Sequence, residues 1–244
     1  MTYDISAVIR LTVQAIPDVR PLLKGRTLGF IFDVDTAYKT QAYFQGTVEH
    51  LVKQVYNGHM QSEFIDILSN VIRGQLTDAY NQAWEDDNNT LPLPEYLASS
   101  LNYDILHQYD FVDGFYKDVV NARELKKPID PLLNRAALWA NRWKESYNRA
   151  VSIIAENEGA KEMWVLGETE SHCPFCRALN GIVAYASEWS RLNVYPQKAP
   201  NPALTGEIDG EKGCEGWLCD CKLVKVDKRR SPKAYERIQK AIEK

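Results

Sequence analysis

No cysteine occurs among the first 172 of the 244 residues; all five lie between Cys173 and Cys221. No apolar run approaches the roughly 20 residues a membrane-spanning helix needs, so the chain is not expected to cross a bilayer. Histidine is scarce, with only His50, His59, His107 and His172, and these form no His-Glu-x-x-His pair. Gly-x-Ser-x-Gly and a phosphate-cradling glycine loop are missing too. Phe32-Asp33-Val34-Asp35 has the Asp-x-Asp spacing of metal-dependent phosphotransfer but lacks a second carboxylate cluster. Nothing here calls for catalysis, and the chain reads as a non-enzyme. The opening stretch, MTYDISAVIRLTVQAIPDVR, interrupts its apolar positions with charges and carries no small-residue cleavage site, so it does not read as a secretion signal. No repeat of fixed period appears.

What remains suits a folded chain. Hydrophobic residues make up 45% and charged residues 25%, which excludes a collagen-like, low-complexity or wholly disordered polymer. Apolar residues at three-and-four spacing predict helices over 36–57 and 60–84, with Asn57-Gly58 as the turn between an antiparallel pair. A polar, proline-punctuated loop over 85–94 follows, then shorter helices near 94–107 and 111–124. The clearest helix spans 130–157: Asp130 as cap, Pro131 where proline is tolerated, and an apolar stripe from Leu133 to Ile154, closed by Glu158-Gly159. His50 and His59 sit on or beside such helices, where a solvated or packed histidine is the ordinary case.

After Lys161 the pattern changes. Met163–Leu166, Ile182–Tyr185 and Leu223–Val226 read as short strands, separated by an irregular proline- and glycine-rich stretch over 193–213. Ser231-Pro232 is expected to open a last helix, with the serine as cap. Residues 222–244 carry nine basic and three acidic side chains, a charge of +6 that leaves −10 for residues 1–221 of a total of −4. Such a tail suits nucleic acid, an acidic protein surface, or plain solvation.

Three short strands around a long loop hold too little core without a staple. The cysteines supply one. Cys173-Pro174-Phe175-Cys176 is followed, 43 residues after Cys176, by Cys219-Asp220-Cys221. Two close pairs of soft thiolate ligands match a tetrahedral zinc site that ties distant loops together. The expected ligands are Cys173, Cys176, Cys219 and Cys221, with Cys214 and His172 in reserve. Disulfides fit poorly with an odd cysteine count and no secretion signal. Cys-Pro-Phe-Cys also looks like a glutaredoxin tetrapeptide, yet Asn180-Gly181 interrupts after one turn and no thioredoxin-like alternation precedes it. A zinc deaminase needs His-x-Glu, which the chain lacks.

The spacing is familiar in a wider frame. Arg142, Tyr147-Asn148-Arg149-Ala150 and Gly159 lead to Trp164, which opens Val165-Leu166-Gly167. Next come Cys173-Pro174-Phe175-Cys176, Leu179-Asn180-Gly181 and the closing Cys219-Asp220-Cys221-Lys222-Leu223. From Asn134 to Val226, roughly 90 of the 244 residues, the chain resembles the minor head protein family of tailed bacteriophages, the Mu-type head morphogenesis domain. A histidine of that family corresponds to Gly216 here, and Cys214 is the candidate replacement. The resemblance implies a non-catalytic virion component, assembled in the host cytoplasm and associated with the portal or major capsid protein in the capsid interior. DNA is a further expected partner of the basic tail.

The expectation is therefore a mainly α protein with a small C-terminal α+β zinc-stapled module. Its divisions are 1–129 as a helical region, 130–230 as the minor-head-like domain, and 231–244 as a basic helix. The alternatives are a zinc-module nucleic-acid-binding protein and a thiol oxidoreductase using Cys173 and Cys176.

Overall fold

The computed structural model describes residues 41–59, 62–168, 172–197, 207–208, 211–212 and 219–243. The Asp33/Asp35 motif, the start of the predicted first helix and Cys214 lie outside them. The described part is mainly helical, with a small antiparallel sheet near its C-terminal end.

Helix α1 (Gln41–Tyr56) buries Phe44, Val48, Leu51, Val52 and Val55. The Asn57-Gly58 stop is a left-handed glycine turn: Gly58 N–H bonds Val55 O at 2.9 Å and His59 N–H bonds Gln54 O at 2.8 Å. Helix α2 (Phe64–Asp86) repeats the stripe with Phe64, Leu68, Ile72, Leu76, Tyr80 and Ala83. Helices α3 (Glu95–Tyr109) and α4 (Val112–Glu124) add Leu97, Leu101, Val112, Phe115 and Val119 to the same core.

Helix α5 (Asp130–Asn157) has 28 residues and so runs about 42 Å at 1.5 Å per residue. Its cap position falls on Ile129 rather than Asp130, which sits in the first turn, where a carboxylate favours the helix dipole. At its far end Gly159 takes φ +63°, and Ala160 N–H bonds Ala155 O at 2.8 Å.

Strand β1 (Lys161–Val165) is the middle of the sheet, between β2 (Val183–Tyr185) and β5 (Lys222–Lys225), both antiparallel to it. Trp164 pairs with Leu223, and Glu162 lies between Ala184 and Lys225. Between β1 and β2 lies α6 (Pro174–Leu179), and α7 (Ala186–Arg191) follows β2. Strands β3 (Glu207–Ile208) and β4 (Glu211–Lys212) form a separate two-stranded ribbon. Helix α8 (Ala234–Ile242) closes the second core with Ala234, Ile238 and Ala241 against Trp164, Phe175, Leu179, Trp189 and Leu223.

Ser231 does not cap α8 as its sequence position suggests. Its Oγ accepts the Val183 N–H at 2.9 Å and its own N–H bonds Val183 O at 2.8 Å, docking the tail on the edge of β2. The cap position passes to Lys233, with φ +50°. An unpaired strand edge offers stronger partners than a helix end two residues on.

The two cores cut the chain elsewhere than the 1–129, 130–230 and 231–244 division. Leu132, Ala136, Trp139, Ala150 and Ile154 place α5 in the helical body, while Ala234 and Ile238 place α8 in the module. The body is bolted by buried polar groups: Tyr80 donates to Asp104 at 2.6 Å, and Arg149 pairs with the other oxygen of Asp104 at 3.0 Å. Body and module are joined by Lys225, which pairs with Asp87 after α2 and with Glu158 after α5.

Candidate metal centre

The first limb is the β1–α6 connection. Proline at the first position of α6 pre-sets the helical φ, and the Cys173 side chain caps the helix by accepting the Cys176 N–H at 3.3 Å. One turn then carries Cys176 inward, where it is 2% exposed beside Phe175 and Leu179. The turn ends at Asn180-Gly181 because Gly181 takes φ +74°. The second limb is Cys219-Asp220-Cys221, which leads straight into β5 and is therefore fixed by the pairing of Leu223 with Trp164.

These limbs bring Cys176, Cys219 and Cys221 together, with all three sulfurs within 4.8 Å of one another. Cys176 Sγ and Cys219 Sγ are 3.9 Å apart. Two sulfurs bound tetrahedrally at about 2.3 Å from one ion stand about 3.8 Å apart, so this edge already has the length a bound ion needs. The buried group could hold a metal ion. On the far side of Cys221, His172 Nδ1 lies 3.8 Å from its sulfur, and His172, Asp220 and Cys221 form a second group with the same 4.8 Å span. Cys173 is half-buried at the head of α6 and stands outside both groups. None of the four described cysteines is in a disulfide.

Backbone N–H groups surround the sulfurs. Those of Gln197 and Cys221 hydrogen-bond Cys219, and that of Gly167 hydrogen-bonds Cys221. The Cys176 and Cys221 thiols, together with these amides, outweigh burial and bring the Cys219 thiol down to about 3. The Cys176 hydrogen bond pulls Cys221 down as well, but sharing with Cys219, burial and the Cys219 charge dominate and push it up to about 12. One thiolate forms readily, and the second forms when a cation offsets the first. Metal ions supply that compensation.

Three supporting residues were not singled out as functional by sequence reasoning. A Cβ on Gly167 would lie 2.0 Å from Asp220 Cγ, so any larger residue there would have to displace the Asp220 carboxylate. Asp220 then accepts the Glu168 N–H at 2.6 Å, closing that approach. Gln197 reaches in from the loop after α7, donating from Nε2 to Cys219 O at 3.0 Å and Cys221 O at 2.7 Å. Val165-Leu166-Gly167 at the strand end is the one visible hint of the first; nothing in the sequence around Gln197 marks it.

A buried acid lies nearby on β1. Glu162 is 0% exposed, with Oε1 accepting from Ser152 of α5 at 3.1 Å and no hydrogen-bond partner at Oε2 among the described residues. Burial is the main cause that pushes its carboxyl up to about 7.

No described helix is long and apolar enough to cross a membrane. Compared with known protein families, curated proteins and solved structures, the chain matches none.

Proposed function

We propose that this chain is a minor head, or head morphogenesis, protein of a tailed bacteriophage, a non-catalytic assembly component whose C-terminal module is stapled by zinc. The observation that supports it is the convergence of the motif residues. Trp164, Cys176, Leu179, Cys219 and Cys221 are scattered over 58 sequence positions, yet each contributes to one small core or to the thiol cluster at its edge. A motif set with a common structural purpose is what a shared domain would leave in a sequence.

Zinc is the metal this donor set suits. It is soft enough for thiolates, has no redox chemistry to endanger them, and accepts a mixed sulfur and imidazole shell. Cys176, Cys219 and Cys221 supply three ligands, and Cys173, His172 or Cys214 the fourth. In this reading the helical body meets the portal or capsid protein and the module forms a rigid end.

The basic tail is partly committed inside the protein. Lys225 is engaged with Asp87 and Glu158, and Arg230 with Glu188. Lys233, at the cap of α8, and Arg237 and Lys240 stay exposed along one flank of the helix, each one residue before a buried Ala234, Ile238 or Ala241. That exposed face favours one second reading, a zinc-module nucleic-acid-binding protein.

The test is whether a portal gene lies beside the gene for this chain and, where it does, co-expression with that portal protein. Stable co-purification with about one zinc per chain is the expected result, as is chelation that melts the module and leaves the helical signal largely intact. A metal-free, folded module refutes the zinc assignment. Absence of any portal interaction, together with DNA affinity that falls steeply with salt, supports the second reading instead.

A further inference from the structure

The link between the centre and the helical body is a pair of buried carboxamides. Gln197 and Asn148 are each 7% exposed. Asn148 Nδ2, on α5, donates to Gln197 Oε1 at 2.7 Å. Gln197 Nε2 in turn reaches the carbonyls of Cys219 and Cys221, the residues that carry the second limb's sulfurs. The orientation of both amides is fixed by chemistry. Two carbonyls accept only, so the NH2 of Gln197 must face them, its oxygen must face Asn148, and Asn148 must present its own NH2. No other side chain of this length donates twice and accepts once along that line.

The backbone at Gln197 is held as firmly. It takes φ +63°, a conformation that non-glycine residues adopt at a cost and that persists where surrounding contacts over-determine it. The loop that carries it is pinned by Val194, which is fully buried and whose N–H bonds Trp189 O at 3.0 Å.

We infer that Gln197 is a positioning residue for the metal centre, tying the Cys219–Cys221 limb to Asn148 so that metal retention depends on the module being docked on α5. Without Gln197 the two limb carbonyls lose their shared donor, and the peptides that aim the two sulfurs are free to rotate. Without Asn148 the Gln197 amide loses the partner that sets its orientation. Outer hydrogen bonds of this kind typically alter metal affinity by about 10–100-fold. The inference rests on the metal reading proposed above.

The experiment uses the full chain with Zn2+ or Co2+ alone, comparing the wild type with Gln197→Met, Gln197→Glu and Asn148→Ala. The readouts are competition against a chromophoric chelator and the visible spectrum of the cobalt form. Gln197→Met keeps the volume and removes the donor, and is expected to weaken binding about 10–100-fold while preserving one metal per chain. Gln197→Glu turns an acceptor toward two carbonyls and is expected to weaken it further. Asn148→Ala, on a helix that contributes no ligand, is expected to weaken binding in the same direction, and to add nothing once Gln197 is already Met. A shifted cobalt spectrum in the Gln197 variants separates altered ligand geometry from general destabilisation. Wild-type affinity and spectrum in both Gln197 variants overturns this inference and leaves the metal reading standing. A wild type that binds neither ion overturns both. If Gln197→Met fails to fold, Asn148→Ala carries the test, and an unchanged affinity there refutes the coupling.

Discussion

Replacing Glu162 by glutamine should stabilise the protein far more at pH 8 than at pH 5. The carboxyl is 0% exposed, and one oxygen has no hydrogen-bond partner among the described residues. The groups acting on it are Ser152, which donates to it, Glu156, which raises its pKa, and Lys225, which lowers it. Lys225 does not neutralise it, because its ammonium is held by Asp87 and Glu158. Burial therefore prevails, and the folded-state value stands at about 7 against an ordinary 4.5. Between those two values the unfolded chain has lost the proton and the folded chain has kept it. Stability then falls as pH rises, by about 1.4 kcal/mol for each pH step of one, and the total loss above pH 7 is roughly 3 kcal/mol. Glutamine cannot ionise, and its carbonyl still accepts from Ser152. The difference between variant and wild type should grow from about 1 kcal/mol at pH 5 to about 3 kcal/mol at pH 8. Urea unfolding followed by tryptophan fluorescence, with metal content matched at each pH, measures that difference. A gap that stays constant from pH 5 to pH 8 would refute the reasoning.

Two glycines should respond oppositely to alanine. Gly167→Ala forces a Cβ to within 2.0 Å of Asp220 Cγ, and overpacking of this kind costs about 1–3 kcal/mol, visible as a lower Tm. Gly74→Ala, inside α2 with no atom within 4 Å of the added methyl, should raise stability by about 1 kcal/mol in the same melts. Asp104→Ala strips the partner from Tyr80 and Arg149 together, and about 3 kcal/mol should be lost in urea unfolding. Asp113→Ala, which breaks only the exposed pair with Lys117, should change it by less than about 1 kcal/mol.

Much of the architecture was legible because local rules state it. Helix stripes such as Phe64, Leu68, Ile72 and Leu76 follow from a period of 3.6, and the three short strands from apolar tetrads bounded by turns. The clustering of the cysteines already marked the C-terminal end as the place where thiols could meet. What escaped was whatever depended on a partner distant in sequence. Ser231 looks like a helix cap until Val183 is seen beside it, and α5 looks like the start of a new domain until its stripe is found in the core of α1–α4.

By itself, then, the sequence determined the helical body, the strand segments and the concentration of soft ligands in the final third, because each is a property of residues close together along the chain. The tertiary structure decided which thiols meet and what holds them. Cys176 reaches Cys219 across 43 residues only because β1 pairs with β5, and their limb is steadied by Gln197 and, through it, by Asn148 on a helix from the other core. Such contacts are set by how two hydrophobic cores close on each other, and no local pattern records that.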